Sequence, residues 1–374
     1  MDQQQTDLPS ESVKTKSLRL ALIISPQMID DFSIYLKHLF TGLADESIPV
    51  ALVCHPDCDV VPLVSPAVEI INHPAYNIPL LFRQNHRLLI ERLTKFKPTV
   101  LHCLCHTQLR LTKKLAKQLS LPYLLSINSL QKRLNPLSLS SKRLSKIIVP
   151  AQTIADDISN LFPKLARNTK LINIGTFIED SNECFSDPSR QPSIVVTHPL
   201  DNTADFQTLL SAIKHLAIDG HEFFMVLVGG GKAETQIRKI IADLELSQIV
   251  TIAPGLQPWR PLLSAADIFI QPKPAKTFDP LLLEAMSVGS AVAACEGGVD
   301  DLIIQDKTAV IFDPDDELSI YSSLQKLLDT HEFARQLAEN AQQHLRDNHK
   351  VSDMISCTLQ TYNEAINHTK SRFH

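Results

Sequence analysis

Within the stretch Phe278–Gly289, FDPLLLEAMSVG, Glu284 is the only charge inside the short helix that follows Asp279. Its neighbours Leu281, Leu282, Leu283, Ala285, Met286 and Val288 are apolar, and a helix that is apolar all round is a buried one. Asp279 suits the N-cap, Pro280 the first helical position, and Gly289 the left-handed residue that ends the helix. A carboxylate buried there is costly unless paired. Two partners are open to it. One is a ligand with vicinal hydroxyls, as the acidic residue of dinucleotide folds takes ribose. The other is a structural pairing with an arginine or with backbone amides.

Two glycine turns could bring backbone N–H groups to an anion. Gly229-Gly230-Gly231 follows an apolar run ending at Val228 and precedes a helix opening at Lys232. Gly297-Gly298 follows the run Ala291–Ala294 and precedes a helical pattern over Val299–Gln305. Such turns are often plain turn chemistry. Five of the chain's ten glycines fall in these two turns, at the strand ends where open α/β sheets bind ligands.

The elements that must position these residues alternate along the whole chain. In the first half, strand-like runs at Leu18–Ile24, Pro49–Cys54, Thr99–Leu104, Pro122–Ile127, Lys146–Val149 and Lys170–Ile174 are separated by amphipathic stretches such as Asp31–Gly42, Phe82–Lys95 and Gln108–Leu119. The unpatterned, proline-bearing stretch Glu179–Ser193 then reads as a linker. Beyond it, strands are predicted at Ser193–Thr197, Phe223–Val228, Ile249–Ile252, Asp267–Ile270, Ala291–Ala294 and Ala309–Phe312. Helices are predicted between them at Thr203–Ala217, Lys232–Leu244, Pro258–Ala265 and Pro280–Val288. Runs apolar on both faces, alternating with helices, imply parallel sheets covered on both sides. The expected fold class is α/β, two doubly wound domains facing across a cleft. The expected division is a disordered tail at 1–17, a first domain at 18–190, a second at 191–350, and a final helix at 351–374 that crosses back to the first.

Composition narrows the function. With 374 residues, 44% hydrophobic and 21% charged, the chain can bury two large cores. A formal charge of -5 offers no basic field for nucleic acid. No apolar run reaches membrane-spanning length, and the polar N-terminus is not a signal peptide, so a cytoplasmic location is expected. Seven scattered cysteines read as free thiols. In His102-Cys103-Leu104-Cys105-His106 the alternation of a strand puts histidines and cysteines on opposite faces, which argues against a shared metal. His102 or His106 is instead a candidate cleft-lining polar group. Cys54-His55-Pro56-Asp57-Cys58 lacks a second ligand pair and reads as a loop.

Taken together these residues resemble the retaining GT-B glycosyltransferases of family 4. VGGG at Val228–Gly231 is similar to that family's glycine turn, Ala265–Ile270 with Pro272 to "ADIFVxPS", Glu284–Gly289 to "EAMAxG", Glu296–Val299 with Asp301 to "GGxxE", and Ala309–Pro314 to "GxLVxP". Fainter similarities lie at Lys97–His102 ("PDVVH"), at Pro122–Asn128, at Ile172–Gly175 ("IPNGV") and in the last helix. The resemblance implies a GT-B fold of two Rossmann-like domains and transfer of a sugar, with retention, from a nucleotide-diphosphate donor. It implies an acceptor that is a glycan, a lipid or a small molecule, no metal cofactor, and a place in the cytoplasm or at the inner membrane face. The implied donor-binding residues are Glu284, Gly229, Gly230, Gly231, Gly297 and Gly298.

The sequence departs from the family at functional positions. Lys276 stands where the first glutamate of E-x7-E belongs. His198-Pro199-Leu200 and Ala204 stand where the diphosphate-binding arginine and lysine belong, and Met28–Asp31 where a glycine-rich loop opens the first helix. Asn128 replaces the active-site histidine, at the cleft lining. A diphosphate leaving group needs positive charge or N–H donors where negative charge develops. Lys276, with Lys273 in support, is the candidate replacement clamp, the other reading being two solvated lysines. The competing functions are a non-catalytic relative that binds a nucleotide, a glycan or a protein, and, further off, a sugar epimerase of the same fold.

Overall fold

The structure is a computed structural model and describes residues 18–64, 66–74, 79–131, 143–255 and 258–372. The expected tail at 1–17 lies outside the described residues. The first sheet is built from β1 (Leu20–Ile23), β2 (Val50–Cys54), β3 (Glu69–Asn72), β4 (Val100–Cys103), β5 (Tyr123–Ser126), β6 (Leu144–Val149) and β7 (Thr169–Leu171). Its order is β3-β2-β1-β4-β5-β6-β7, every pair parallel. Four of its strands, β1, β2, β4 and β5, are buried at every residue, and β1 and β2 accordingly read as unbroken apolar runs. The sheet is flanked by α1 (Pro26–Asp45), α2 (Pro79–Phe96), α3 (Leu109–Leu119) and α4 (Gln152–Leu161).

The second sheet contains β8 (Ser193–Thr197), β9 (Phe224–Val228), β10 (Val250–Ala253), β11 (Ile268–Ile270), β12 (Ala291–Ala294) and β13 (Val310–Ile311). Its order is β10-β9-β8-β11-β12-β13, again all parallel. Its helices are α5 (Ala204–Ile218), α6 (Glu234–Asp243), α7 (Arg260–Ser264), α8 (Pro280–Val288), α9 (Glu317–Asp329) and α10 (His331–Asn348). The order of each sheet steps outward in both directions from its first strand, so each has the switch point at which doubly wound folds bind ligands. This is the expected fold class.

Helix α8 forms as its residues dictate. Asp279 accepts the N–H groups of Leu281 and Leu282, Pro280 opens the helix, and Gly289 ends it at φ 89°. It packs between α7 and α10 of its own domain and α1 of the other. The apolar cluster that includes Leu282, Leu283 and Met286 is continuous with the core of the first sheet. A second cluster fills the far face of the second sheet. The final helix, α11 (Val351–Arg372), packs on α1 and on β4, β5 and β6, so its burial is in the first domain's core.

Three local expectations are corrected. Val299–Gln305 is not a helix: the N–H of Val299 bonds the Ala275 carbonyl and the segment continues as turns, despite the helical spacing of Val299, Leu302 and Ile303. β4 ends at Cys103, and His106 begins a short 3-10 turn rather than sharing a strand face with His102. Helix α1 starts at Pro26, capped by Ser25, whose hydroxyl accepts the Met28 N–H at 3.3 Å. The helix thus begins five residues before the expected stretch Asp31–Gly42, and Asp30 and Asp31 lie within it.

Candidate functional site

The carboxyl edges of the two sheets face across a cavity of about 850 Å³. Phe32 leaves helical geometry (φ -127°, ψ 27°), and at this kink α1 presents Asp30 and Asp31 to the cavity. Burial pushes the Asp31 carboxyl above its ordinary value, and the neighbouring Asp30 adds to the shift. Among the described residues this wall carries no positive charge. The opposite wall consists of the ends of β8 and β9, the loop after β11 and the start of α8.

That loop holds Lys276. Its backbone is stitched to the segment that follows β5: Leu130 N–H donates to the Lys276 carbonyl and Phe278 N–H to the Asn128 carbonyl, both at 2.8 Å. Ser129 and Thr277 form an antiparallel bridge between these bonds. The Lys276 side chain is exposed, lines the cavity and makes no ion pair among the described residues. Lys273 also lines the cavity, but its Nζ lies 2.7 Å from an oxygen of Asp315 and donates to the Pro314 carbonyl at 3.3 Å. Its charge is already matched. Asn128, expected at the cleft lining, is not part of the cavity wall; its backbone does the stitching, and its amide points to the Met28 sulfur at 3.7 Å.

Glu284 is 2% exposed and does not line the cavity. Arg260 Nη1 donates to its Oε1, and the Thr176 hydroxyl donates to its Oε2 at 2.7 Å. Arg260 also bonds the Phe177 carbonyl at 2.8 Å and Glu179 at 3.2 Å. Of the two partners open to this carboxylate, the structure supplies the structural cation. A ribose at Glu284 would have to displace Arg260 or Thr176. His38 of α1 adjoins this group and donates to the Gly175 carbonyl at 3.0 Å; burial holds its pKa below the ordinary histidine value.

The glycine turns divide. Gly229 and Gly230 line the cavity. Gly231 and Gly298 do not: a Cβ on Gly231 would overlap the Leu200 backbone, and one on Gly298 the Ala275 backbone. These two are glycines because chain packs on chain there. Gly297, at φ 99°, has open space around it, yet it too lies off the cavity wall. His102 is likewise not at the cleft. It is 1% exposed, with Nδ1 at 2.8 Å from the Tyr362 hydroxyl and Nε2 at 2.9 Å from the Ser126 hydroxyl. Its polarity serves to join α11 to the first sheet.

Four residues emerge only in three dimensions. Arg260 is one, because nothing in its spacing points to Glu284. Trp259, the chain's single tryptophan, lines the cavity. Thr197 and Gln271 follow one another across the paired strands β8 and β11, whose last registered pair is Val196 with Ile270. Thr197 Oγ1 and Gln271 Oε1 are buried without a hydrogen-bond partner among the described residues, and both residues line the cavity. Each such oxygen costs on the order of 1–3 kcal/mol. A glutamine closing an apolar strand run was the available signal. His198, beside them, sits 3.6 Å from Asp205, and burial lowers its pKa.

Comparison with known proteins bears on the fold. Residues 179–344 match the family model for glycosyl transferases group 1. A glycosyltransferase from Rickettsia africae ESF-5 superposes with a TM-score of 0.79 at 15% identity, covering 94% of this chain and 99% of that one. Sucrose-phosphate synthase from Thermosynechococcus elongatus gives 0.73 at 18% identity, covering 94% and 100%. Anabaena HepE in complex with UDP and glucose gives 0.76 at 14% identity, covering 92% and 99%. The architecture is GT-B. In sequence, the D-inositol 3-phosphate glycosyltransferase of Pseudarthrobacter chlorophenolicus is 33% identical over 89 residues, 22% of this chain and 20% of that protein. The matched stretch thus spans about a fifth of that relative's length.

Proposed function

We propose that the chain binds a nucleotide-diphosphate sugar in the cleft between its two domains and transfers the sugar, with retention, to an acceptor hydroxyl. The family match over residues 179–344 and the GT-B neighbours support sugar transfer as the reaction class. The observation that carries the donor reading is Lys276, a cleft-lining cation that makes no ion pair among the described residues and is fixed at its backbone by the stitch to Asn128–Leu130. A diphosphate cannot be desolvated without a cation or several N–H donors. In this reading Lys276 supplies the charge and the N–H of Gly230 a hydrogen bond, the Gly229 N–H being held by the Ala253 carbonyl at 3.1 Å. Lys273, held by Asp315, contributes less than its position alone implies. The acceptor would be a glycan, a lipid or a small molecule, with the chain acting in the cytoplasm or at the inner membrane face and needing no metal.

The test is to titrate UDP, GDP, ADP and the matching nucleosides into wild type and Lys276→Ala. A diphosphate affinity that falls about tenfold in the variant while nucleoside affinity holds supports the reading, since a charged hydrogen bond is worth about 1.5–3 kcal/mol. Wild type that binds no nucleotide overturns it. The alternative is a non-catalytic relative that binds a nucleotide, a glycan or a protein partner. A specific observation favours it: Glu284 is already occupied by Arg260 and Thr176, and Asp30 and Asp31 face the cavity.

A further inference from the structure

We propose that Thr197 and Gln271 form the floor of a subsite that takes the hydroxyl groups of an uncharged sugar ring. The inference rests on the cleft invoked above, but not on a nucleotide being bound there. The two residues follow the last registered pair of β8 and β11, so their side chains leave the same face of the sheet. Gln271 is 3% exposed, its backbone N–H is spent on the Ala293 carbonyl, and its Oε1 is buried without a partner among the described residues. Thr197 Oγ1 is buried in the same way. Nearly all buried polar atoms have a hydrogen-bond partner, so two neighbouring ones without any call for a group that completes them.

The chemistry of the pair selects the ligand. An amide oxygen needs a donor, which phosphate oxygens lack and a sugar hydroxyl has. A threonine hydroxyl both gives and accepts, and so can serve the adjacent hydroxyl of the same ring. The surrounding charges point the same way. Lys273 is neutralised by Asp315, and His198 is half-buried beside Asp205. Asp30 and Asp31 stand across the cavity. Among the described residues the floor thus has no uncommitted positive charge, whereas the rim has Lys276. A ligand with a neutral hydroxylated end and an anionic end would lie with the first on Thr197 and Gln271 and the second toward Lys276. Trp259, on the cavity wall near Gly255, gives such a ring an apolar face to pack on.

Trp259 also provides the readout, because it is the chain's single tryptophan. The experiment titrates glucose, galactose, mannose and N-acetylglucosamine, each alone, into the full chain while following tryptophan emission. The same titrations are made on Gln271→Leu and Thr197→Val, with thermal melts of all three proteins and parallel titrations of UDP, GDP and ADP. At least one hexose is expected to shift the emission of wild type. Each variant is expected to weaken that hexose about tenfold, the loss of roughly one well-made hydrogen bond. Each is also expected to melt no lower than wild type, because it deletes an unpaired buried oxygen. Nucleoside diphosphate affinity is expected to be unchanged. Hexose binding equal in all three proteins, or absent from wild type, overturns the subsite. So does a loss of nucleoside diphosphate affinity in the variants with hexose binding intact, which would make the floor a phosphate site. Hexose binding that depends on Gln271 in a protein that binds no nucleotide supports the subsite and sinks the donor reading alone.

Discussion

Asp301 of the second domain caps a helix of the first through Thr153. Its Oδ2 accepts the Thr153 hydroxyl at 2.6 Å, while its Oδ1 accepts the N–H groups of Gln152 at 2.5 Å and Thr153 at 3.1 Å. Helix α4 has no side-chain cap of its own, since Ala151 occupies the N-cap position. The carboxylate therefore satisfies orphan donors across the domain boundary and meets the positive end of the helix dipole. Asp301→Ala should cost about 0.5–2 kcal/mol, the range for a lost N-cap, measured by urea unfolding. Thr153→Val, which removes the hydroxyl bond but keeps the N–H bonds, should cost less. Equal stability of Asp301→Ala and wild type would show the cap to be idle.

The pairing of Arg260 with Glu284 predicts an asymmetry. Arg260→Ala leaves Glu284 charged and buried with only the Thr176 hydroxyl, and removal of one partner from a buried pair typically costs about 3–5 kcal/mol. Glu284→Gln removes the charge but keeps an oxygen for Thr176, so its cost should be clearly smaller. Arg260→Ala combined with Glu284→Gln should be more stable than Arg260→Ala alone. Denaturant midpoints of the four proteins decide this, and a double variant less stable than either single would refute the pairing.

Stability should fall in mild acid through two buried histidines. Burial lowers His102 from the usual 6.5 to about 3 and His349 to about 4. The unfolded chain takes up these protons near pH 6.5 and the folded chain does not. The stability held by the neutral rings is thus complete above pH 6.5 and is lost as pH falls from there toward 3 to 4. The slope is at most about 1.4 kcal/mol per pH unit for each ring. Melts at pH 7 and pH 5 should show the drop, and His102→Gln should flatten it. A variant with the wild-type slope would assign the acid sensitivity elsewhere.

Much of this architecture was legible because its signal is local. Ser193–Thr197, Ala291–Ala294 and Pro280–Val288 are found where apolar runs, Asp279, Pro280 and Gly289 place them. β3 was missed because only Ile71 of its four residues is buried, so an edge strand carries little pattern. The start of α1 was written in Ser25-Pro26, a cap followed by proline, but the acidic pair Asp30-Asp31 offered a competing start. Of the residues the sequence reading offered for a ligand, Lys273, Lys276, Gly229 and Gly230 line the cavity. The sequence was misleading at His102 and Glu284, because burial alone does not say which partner a polar group has found. Tyr362 lies 260 residues from His102, and Arg260 is on another helix from Glu284.

The final helix carries a consequence for how the protein is made. The chain passes between the domains at Ile174–Thr176 and returns at His349–Lys350, and the two passages are bonded side by side. Thr176 N–H donates to the His349 carbonyl at 2.9 Å, His349 Nδ1–H donates to the Ile174 carbonyl at 2.8 Å, and Thr176 bridges to Lys350 in parallel. Tyr362, with no exposed surface, then completes the core of a sheet whose strands were translated first. On the ribosome the first domain therefore emerges early but waits, one helix short, until the second domain has been synthesised. The domain that begins the chain is the last to close.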